Sequence, residues 1–237
     1  MKKCLKAVCA MLLISAASFG QKLPADSIFA SFYKATGGKE LWEGVKSVNL
    51  KRSYTAASAA PYTADITVSV PDKSIYKNKT IMKRSFVYAV KGNQGWIKVP
   101  IGGKMDVKDL SSAEQQKMRF EVYEALVPFA DYKNRGLIAT TVGTETLNGT
   151  QVNNVELQGQ GIRYNLYFDA KSGLLLRQKN VLAGVETVAD YSNYAKSAYG
   201  IMYPAKIVET NSIDKKPVTI QSTMTVNEQV SAALFQR

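Results

Sequence analysis

Alternation of apolar and polar residues, repeated along most of the chain and broken by short turn signals, is what most narrows the folds open to this sequence. Successive side chains on a strand point to opposite faces, so this pattern builds half-buried strands rather than helices. Val48, Leu50 and Tyr54 alternate with Asn49, Lys51 and Ser53, and Ile66, Val68 and Val70 with Asp65, Thr67 and Ser69. Pro71 ends the second run, a weaker strand follows over 74–82, and Phe86, Tyr88 and Val90 mark a fourth. Gly92-Asn93-Gln94-Gly95 is turn chemistry, because these residues tolerate positive φ, and Trp96, Ile97 and Val99 return beyond it. Further strands are predicted over 137–147, 152–157, 162–169, 174–182, 185–194, 201–211 and 218–226, with hairpin turns at Asn148-Gly149 and Lys171-Ser172-Gly173. About eleven strands with short connections make an antiparallel sheet the economical topology.

Helices interrupt the pattern in two regions. Pro24-Ala25-Asp26-Ser27 supplies cap residues for a helix with Ile28, Phe29, Phe32, Tyr33 and Ala35 at helical spacing, and Gly37-Gly38 stops it. A short turn over 39–44 then carries Leu41 and Trp42 into the first strand. In mid-chain, Ser111-Ser112-Ala113-Glu114 has capping-box spacing, Met118, Val122, Tyr123 and Leu126 share one side of the following helix, and Pro128 closes it. The expected fold is mainly β with two or three helices: an incomplete antiparallel β-barrel of about eleven strands, covered by a lid made of helices 26–36 and 112–126. Periodicity leaves open whether sheet and lid enclose a filled core or a ligand cavity.

The first twenty residues have the layout of a cleavable secretory signal. Lys2, Lys3 and Lys6 precede an apolar run centred on Met11 to Ile14, and Ser18-Phe19-Gly20 places the cut before Gln21. The run is far short of the roughly 20 residues that span a bilayer. Both cysteines, Cys4 and Cys9, leave with it, and Cys9 precedes most of the apolar run, which does not suit a lipid-modified cysteine. The rest, 21–237, reads as one domain without disulfides, held by its core alone. The whole chain carries 31 basic against 19 acidic residues, and the excess survives loss of the three signal lysines. Such an excess favours acidic partners or membrane surfaces, or serves solubility alone. Nucleic acid is not expected, because no basic cluster is interleaved with aromatics.

The chain has no histidine. That removes the commonest general base, the triads built on imidazole, and imidazole metal sites. With cysteine lost as well, a structural zinc site is not expected, and no Gly-rich phosphate loop is present. No cofactor is expected. A carboxylate pair drawn from Asp65, Glu121, Glu124, Glu145, Asp169 and Asp190 is the catalytic route that remains, and each has a plainer role in a turn or on a solvated helix face. The expectation is a binding protein rather than an enzyme.

The order of motifs resembles a known group. The helix ending Ala35-Thr36-Gly37-Gly38, the corner Val68-Ser69-Val70-Pro71-Asp72-Lys73, the hairpin Gly92-Asn93-Gln94-Gly95-Trp96 and the segment Tyr167-Phe168-Asp169-Ala170-Lys171-Ser172-Gly173-Leu174 follow one another in sequence. Tyr199-Gly200-Ile201-Met202-Tyr203-Pro204 and the stretch from Asn227 to Phe235 complete the set. This run resembles the outer-membrane lipoprotein-sorting proteins of the LolA/LolB-like superfamily over essentially all of 21–237, and lies nearer the soluble LolA-type carrier because no lipobox is present. The resemblance implies an incomplete barrel with a helical lid, and binding of lipoprotein acyl chains in the periplasm of a Gram-negative cell. One position departs from it: carriers of this group place a lid-latching arginine before the corner proline, where this chain has Val70 before Pro71.

The expected function is therefore a periplasmic carrier or binding protein for lipoprotein acyl chains or other lipids, sorting toward the outer membrane. Its partners would be an acylated lipoprotein or lipid, an inner-membrane donor and an outer-membrane acceptor, with the chain itself a monomer. Sheet residues expected to line the ligand are Val48, Leu50, Ile66, Val68, Val70, Phe86, Tyr88 and Trp96; the lid would add Met118, Val122 and Leu126. The alternative is an envelope sensor or protein-interaction module of the same fold that transports no lipid.

Overall fold

The alternating stretches become strands, and the strands join in one sheet. The computed structural model describes residues 22–237. The expected signal segment, its cut before Gln21, Cys4 and Cys9 lie outside these residues. In chain order the elements begin with helices α1 (Ala25–Ala35) and α2 (Lys39–Glu43). Strands β1 (Ser47–Ala56), β2 (Ala59–Ser69), β3 (Ser74–Ile81), β4 (Arg84–Lys91), β5 (Gln94–Ile101) and β6 (Lys104–Asp109) follow. After helix α3 (Ser112–Glu124) come β7 (Ile138–Leu147), β8 (Thr150–Gly159), β9 (Ile162–Asp169), β10 (Leu175–Leu182), β11 (Val185–Lys196), β12 (Met202–Asn211) and β13 (Val218–Val226). A 3-10 turn, Ala232–Phe235, closes the chain.

The sheet has thirteen strands in the order β6-β5-β4-β3-β2-β1-β13-β12-β11-β10-β9-β8-β7. Every pairing is antiparallel, and the first and last strands meet at its centre, with Val48 opposite Val226 and Thr55 opposite Thr219. Strands β6 and β7 are the free edges, so the barrel is incomplete. Most neighbouring strands are joined by tight turns, whereas residues 110–137, including α3, separate the two edges. At the β7–β8 turn, Asn148 (φ 49°) and Gly149 (φ 81°) both take left-handed backbone, the geometry a two-residue hairpin requires. The count exceeds the expected eleven or so chiefly through β6. All six of its residues are exposed, and its alternation is short: Met105 and Val107, set between Lys104, Asp106 and Lys108, are its two apolar residues.

The lid helices are held from their ends inward. At α1, Thr36 donates its hydroxyl to the Phe32 carbonyl (2.8 Å) and accepts the Trp42 indole N–H (2.9 Å). Gly37 follows at φ 121°, and a Cβ there would lie 2.9 Å from the Gly200 carbonyl oxygen, so only glycine lets α1 close onto the start of β12. At α3 the expected capping box forms: Ser111 accepts the Glu114 N–H, and the Glu114 carboxylate accepts the Ser111 N–H at 2.8 Å.

Two apolar clusters fill the space between lid and sheet. Under α1, Phe29 stacks on Phe129 with ring centroids 4.2 Å apart, while Phe32 and Phe168 pack edge-on to Phe129. Under α3, Met118 and Val122 meet Val48, Leu50, Ile66 and Val68. Phe129 lies in the connector after α3 yet is only 2% exposed, so one side chain ties that connector to α1 and β9. Phe129→Ala should therefore destabilise the protein by about 3–5 kcal/mol in urea unfolding, through lost transfer energy and a cavity that α1 cannot fill.

Candidate functional site

The concave face of the sheet follows from register. Val48 and Leu50 of β1 stand opposite Val68 and Ile66 of β2, and Val68 stands opposite Ile75 of β3. Continuing by twos along the same strands gives Arg52 after Leu50 and Lys77 after Ile75. On the other half, Ile207 and Glu209 of β12, Ala189 and Thr187 of β11, and Gln178 and Asn180 of β10 share that face. The concave surface is thus apolar near α1 and α2 and polar further along the strands.

Helix α3 adds two carboxylates to this interior. Glu121 forms an ion pair with Lys77, both side chains keeping about a quarter of their surface, 23% and 24%. Glu124, one turn on, accepts the Tyr164 hydroxyl and the Asn180 amide, each at 3.1 Å. The sequence places both acids on a solvated helix face; the structure turns both toward the sheet, where Lys77, Tyr164 and Asn180 receive them. Beyond the helix, Arg135 fastens the connector, donating to the carbonyls of Pro128 (2.7 Å) and Ala130 (3.0 Å) and lying 3.7 Å from the Tyr123 ring centroid.

Between α3, its connector and the sheet lies a cavity of about 110 Å³. Phe32, Trp42, Leu50, Leu126, Tyr203 and Met224 form its apolar part. Arg52, Glu124, Gln178, Asn180, Thr187 and Glu209 form its polar part. Burial pushes the Glu124 carboxyl above the usual glutamate range, and nearby Glu121 adds to this against the two hydrogen bonds. Burial likewise raises Glu209, opposed by Arg52. For Lys77, burial acts to remove the proton, but the adjoining Glu121 carboxylate outweighs it and holds the ammonium above its usual range.

Of the eleven residues expected to line a ligand, Val48, Leu50, Ile66, Val68, Met118 and Val122 form one buried cluster, with half-buried Val70, Tyr88 and Leu126 packed against it. Only Leu50 and Leu126 reach the cavity itself. Phe86 is half-buried on the same face as Tyr88, beyond that cluster and opposite Lys79. Trp96 is displaced from the expected position: it stands opposite Ala89, on the face away from α3, and donates its indole N–H to the Phe235 carbonyl at 3.2 Å. Its neighbour Ile97 takes the inward place. The residues that sequence reasoning passed over are the polar ones: Arg52, Gln178, Asn180 and Glu209. Parity signals Arg52 and Glu209, each two residues beyond an inward apolar neighbour, Leu50 and Ile207; at Gln178 and Asn180 a register shift between Leu175 and Arg177 breaks the count from inward Leu175.

Comparison with known proteins agrees on the fold. No protein-family model matches the sequence, and no curated protein matches it. Among solved structures, the chain is similar to a LolA superfamily protein from Nitrosomonas europaea, with TM-score 0.60 at 13% identity, covering 91% of this chain and 98% of that one. It is also similar to a putative outer membrane lipoprotein-sorting protein domain from Vibrio parahaemolyticus, with TM-score 0.57 at 14% identity and coverage of 89% and 95%. A DUF1329 family protein from Desulfovibrio piger gives TM-score 0.60 at 12% identity and coverage of 90% and 97%. The fold is thus the LolA-like one, an open antiparallel sheet with a helical lid.

Two outcomes follow from the buried charges. The folded chain holds the Glu124 proton more tightly than the unfolded chain, so this residue lowers stability as pH rises above 4.5, the ordinary glutamate value, and costs nothing below it. Glu124→Gln, which can still accept from Tyr164 and Asn180, should raise the Tm near pH 7 and give no gain near pH 4, as read by thermal melts across pH. Glu121→Ala strips Lys77 of its counter-charge. The cost should be about 1–3 kcal/mol, below the ~3–5 kcal/mol of a fully buried pair because both side chains touch solvent. Hydrogen exchange should accelerate in α3 before it does in β8 and β9.

Proposed function

We propose that this chain is a lipid-binding protein of the Gram-negative envelope, exported to the periplasm, which holds the acyl part of a lipoprotein or another lipid between the concave sheet and α3. The observation that carries this reading is the lid-covered concave face itself, where Leu50, Leu126 and Met224 line a cavity inside a LolA-like open sheet. The fold is shared with a domain described as sorting outer-membrane lipoproteins, which supports a carrier working toward the outer membrane.

Burying a chain gains about 0.8 kcal/mol per methylene, so a carrier needs apolar wall rather than catalytic groups. Ligand pockets usually measure about 300–1,000 Å³, and the closed cavity here is about 110 Å³. Binding therefore requires α3 and its connector to lift. Their polar contacts, Lys77 with Glu121 and Glu124 with Tyr164 and Asn180, can be exchanged for water, which makes this the cheaper side of the interior to open. The small closed cavity is also what favours the second reading, an envelope module that binds a protein partner and carries no lipid.

Native mass spectrometry of protein purified from the periplasm separates the two. A carrier is expected to show a chain beginning at Gln21 with co-purified lipid, and to take up a fluorescent fatty acid. A disulfide joining α3 to β3 should abolish that uptake and reduction should restore it. Protein that is lipid-free in every preparation and takes up no fatty acid would leave the protein-interaction reading standing.

A further inference from the structure

Two charged side chains in the cavity wall make no side-chain hydrogen bond or ion pair among the described residues. Arg52 projects from β1, its Nε is buried without a hydrogen bond, and the guanidinium forms no ion pair among the described residues. Glu209 projects from β12 and likewise makes no side-chain hydrogen bond or ion pair among the described residues, although burial raises its pKa. Both line the same cavity, as does Glu124, whose hydrogen bonds use one carboxylate oxygen, Oε1. Both side chains are half-buried, and of their polar atoms only the Arg52 Nε is shut from solvent without a partner, which is costly unless a ligand meets it. Opposite charges that line one space without a direct bond leave room for a group that meets both.

The order of groups along the strands says what shape that bridge has. Met202 donates its N–H to the Thr36 carbonyl, so β12 starts beside α1 and Glu209 lies near its far end. Leu50 likewise precedes Arg52 on β1 as that strand leaves α2. Apolar wall near the helices therefore gives way to a charged and hydrogen-bonding end formed by Arg52, Asn180, Thr187, Glu209 and Glu124.

We propose that this end selects a zwitterionic head group: an acidic group, such as a phosphodiester, against Arg52, and a primary amine against Glu209 and Glu124, with the attached chain along Leu50, Leu126 and Met224. It rests on the lipid-binding reading and sharpens it, because a cavity built for acyl chains alone needs none of these charges. An ammonium keeps N–H donors for two carboxylates, and a phosphodiester accepts the forked guanidinium. A head group without the amine would face the two acids with at most neutral hydroxyl donors and no positive charge.

The test titrates the lipid-stripped protein with lysophosphatidylethanolamine and with lysophosphatidylglycerol of the same chain length. Loss of one charge-assisted hydrogen bond predicts that the first binds at least about tenfold more tightly. Glu209→Gln should reduce the preference and Glu209→Gln with Glu124→Gln should erase it, both leaving lysophosphatidylglycerol binding in place, while Arg52→Gln should weaken both lipids. Glu209→Gln, which removes a half-buried charge without a hydrogen bond among the described residues, should melt at or above the parent's Tm, and Arg52→Gln close to it, which separates lost recognition from lost folding. Equal binding of the two lyso-lipids, or a preference undiminished in Glu209→Gln, overturns the head-group assignment and leaves lipid binding intact. Binding of neither overturns both. Glycerophosphoethanolamine, which has no chain, tests the source. If it binds as tightly as the lyso-lipid, zwitterion recognition holds and the ligand is a soluble one.

Discussion

The ladder between β1 and β13 is the contact on which the rest depends, because it joins the two ends of the chain at the centre of the sheet. Six strands lie on one side of that junction and seven on the other, each half a simple meander of neighbours in sequence. Only this pairing makes them one surface. Closing it costs the entropy of bringing together residues from opposite ends of the chain, a cost that local hairpins do not bear. Asn227 reinforces it just past β13: its carbonyl oxygen accepts the Lys46 N–H at 2.7 Å, and its amide donates to the Gly44 carbonyl at 3.0 Å.

With the ends in the middle, the free edges fall in mid-chain, where α3 sits. The two edges are protected differently. Every residue of β6 is exposed and four of its six are charged, which discourages pairing with another chain. Strand β7 is broken by a register shift between Thr141 and Gly143, and Thr141 donates its hydroxyl to the Leu23 carbonyl. The helix between the edges turns inward and becomes the cover of the concave face. The gap between the edges and the cover of the concave face thus belong to one stretch of chain, 110–137.

The interior under that lid is mixed in character, and this shapes its use. A wholly apolar interface would be hard to part in water. Here α3 meets the sheet through Met118 and Val122 on one side and through Glu121 and Glu124 on the other. The second set gives up little on hydration, because carboxylates raised or paired by burial regain water when exposed. Arg52 and Glu209 attract one another across the cavity without a direct hydrogen bond, so they hold the closed state less firmly than a bonded pair would.

Much of the architecture was legible in the sequence. Period-two alternation located most strands, Asn148-Gly149 the hairpin, Ser111 with Glu114 the start of α3, and Gly37-Gly38 the end of α1, because each is set by backbone geometry within a few residues. Strand β6 escaped because its alternation is only two apolar residues long, Met105 and Val107, and neither is buried. The site was legible only in part. Val48, Leu50, Ile66, Val68, Met118 and Val122 do come together under α3, while Trp96, equally apolar and next in line, points to the other face because register turned Ile97 inward. Arg52 sits in the same alternation as Leu50, yet polarity alone assigns it to solvent. The sequence by itself determined the strands, the turns and the helix caps, since these depend on local φ, ψ and side-chain spacing. The tertiary structure alone decided which charges are buried: Arg52, Lys77, Glu124 and Glu209 face inward because their strand or helix faces are committed by the apolar residues beside them, and those faces meet only once β1 finds β13.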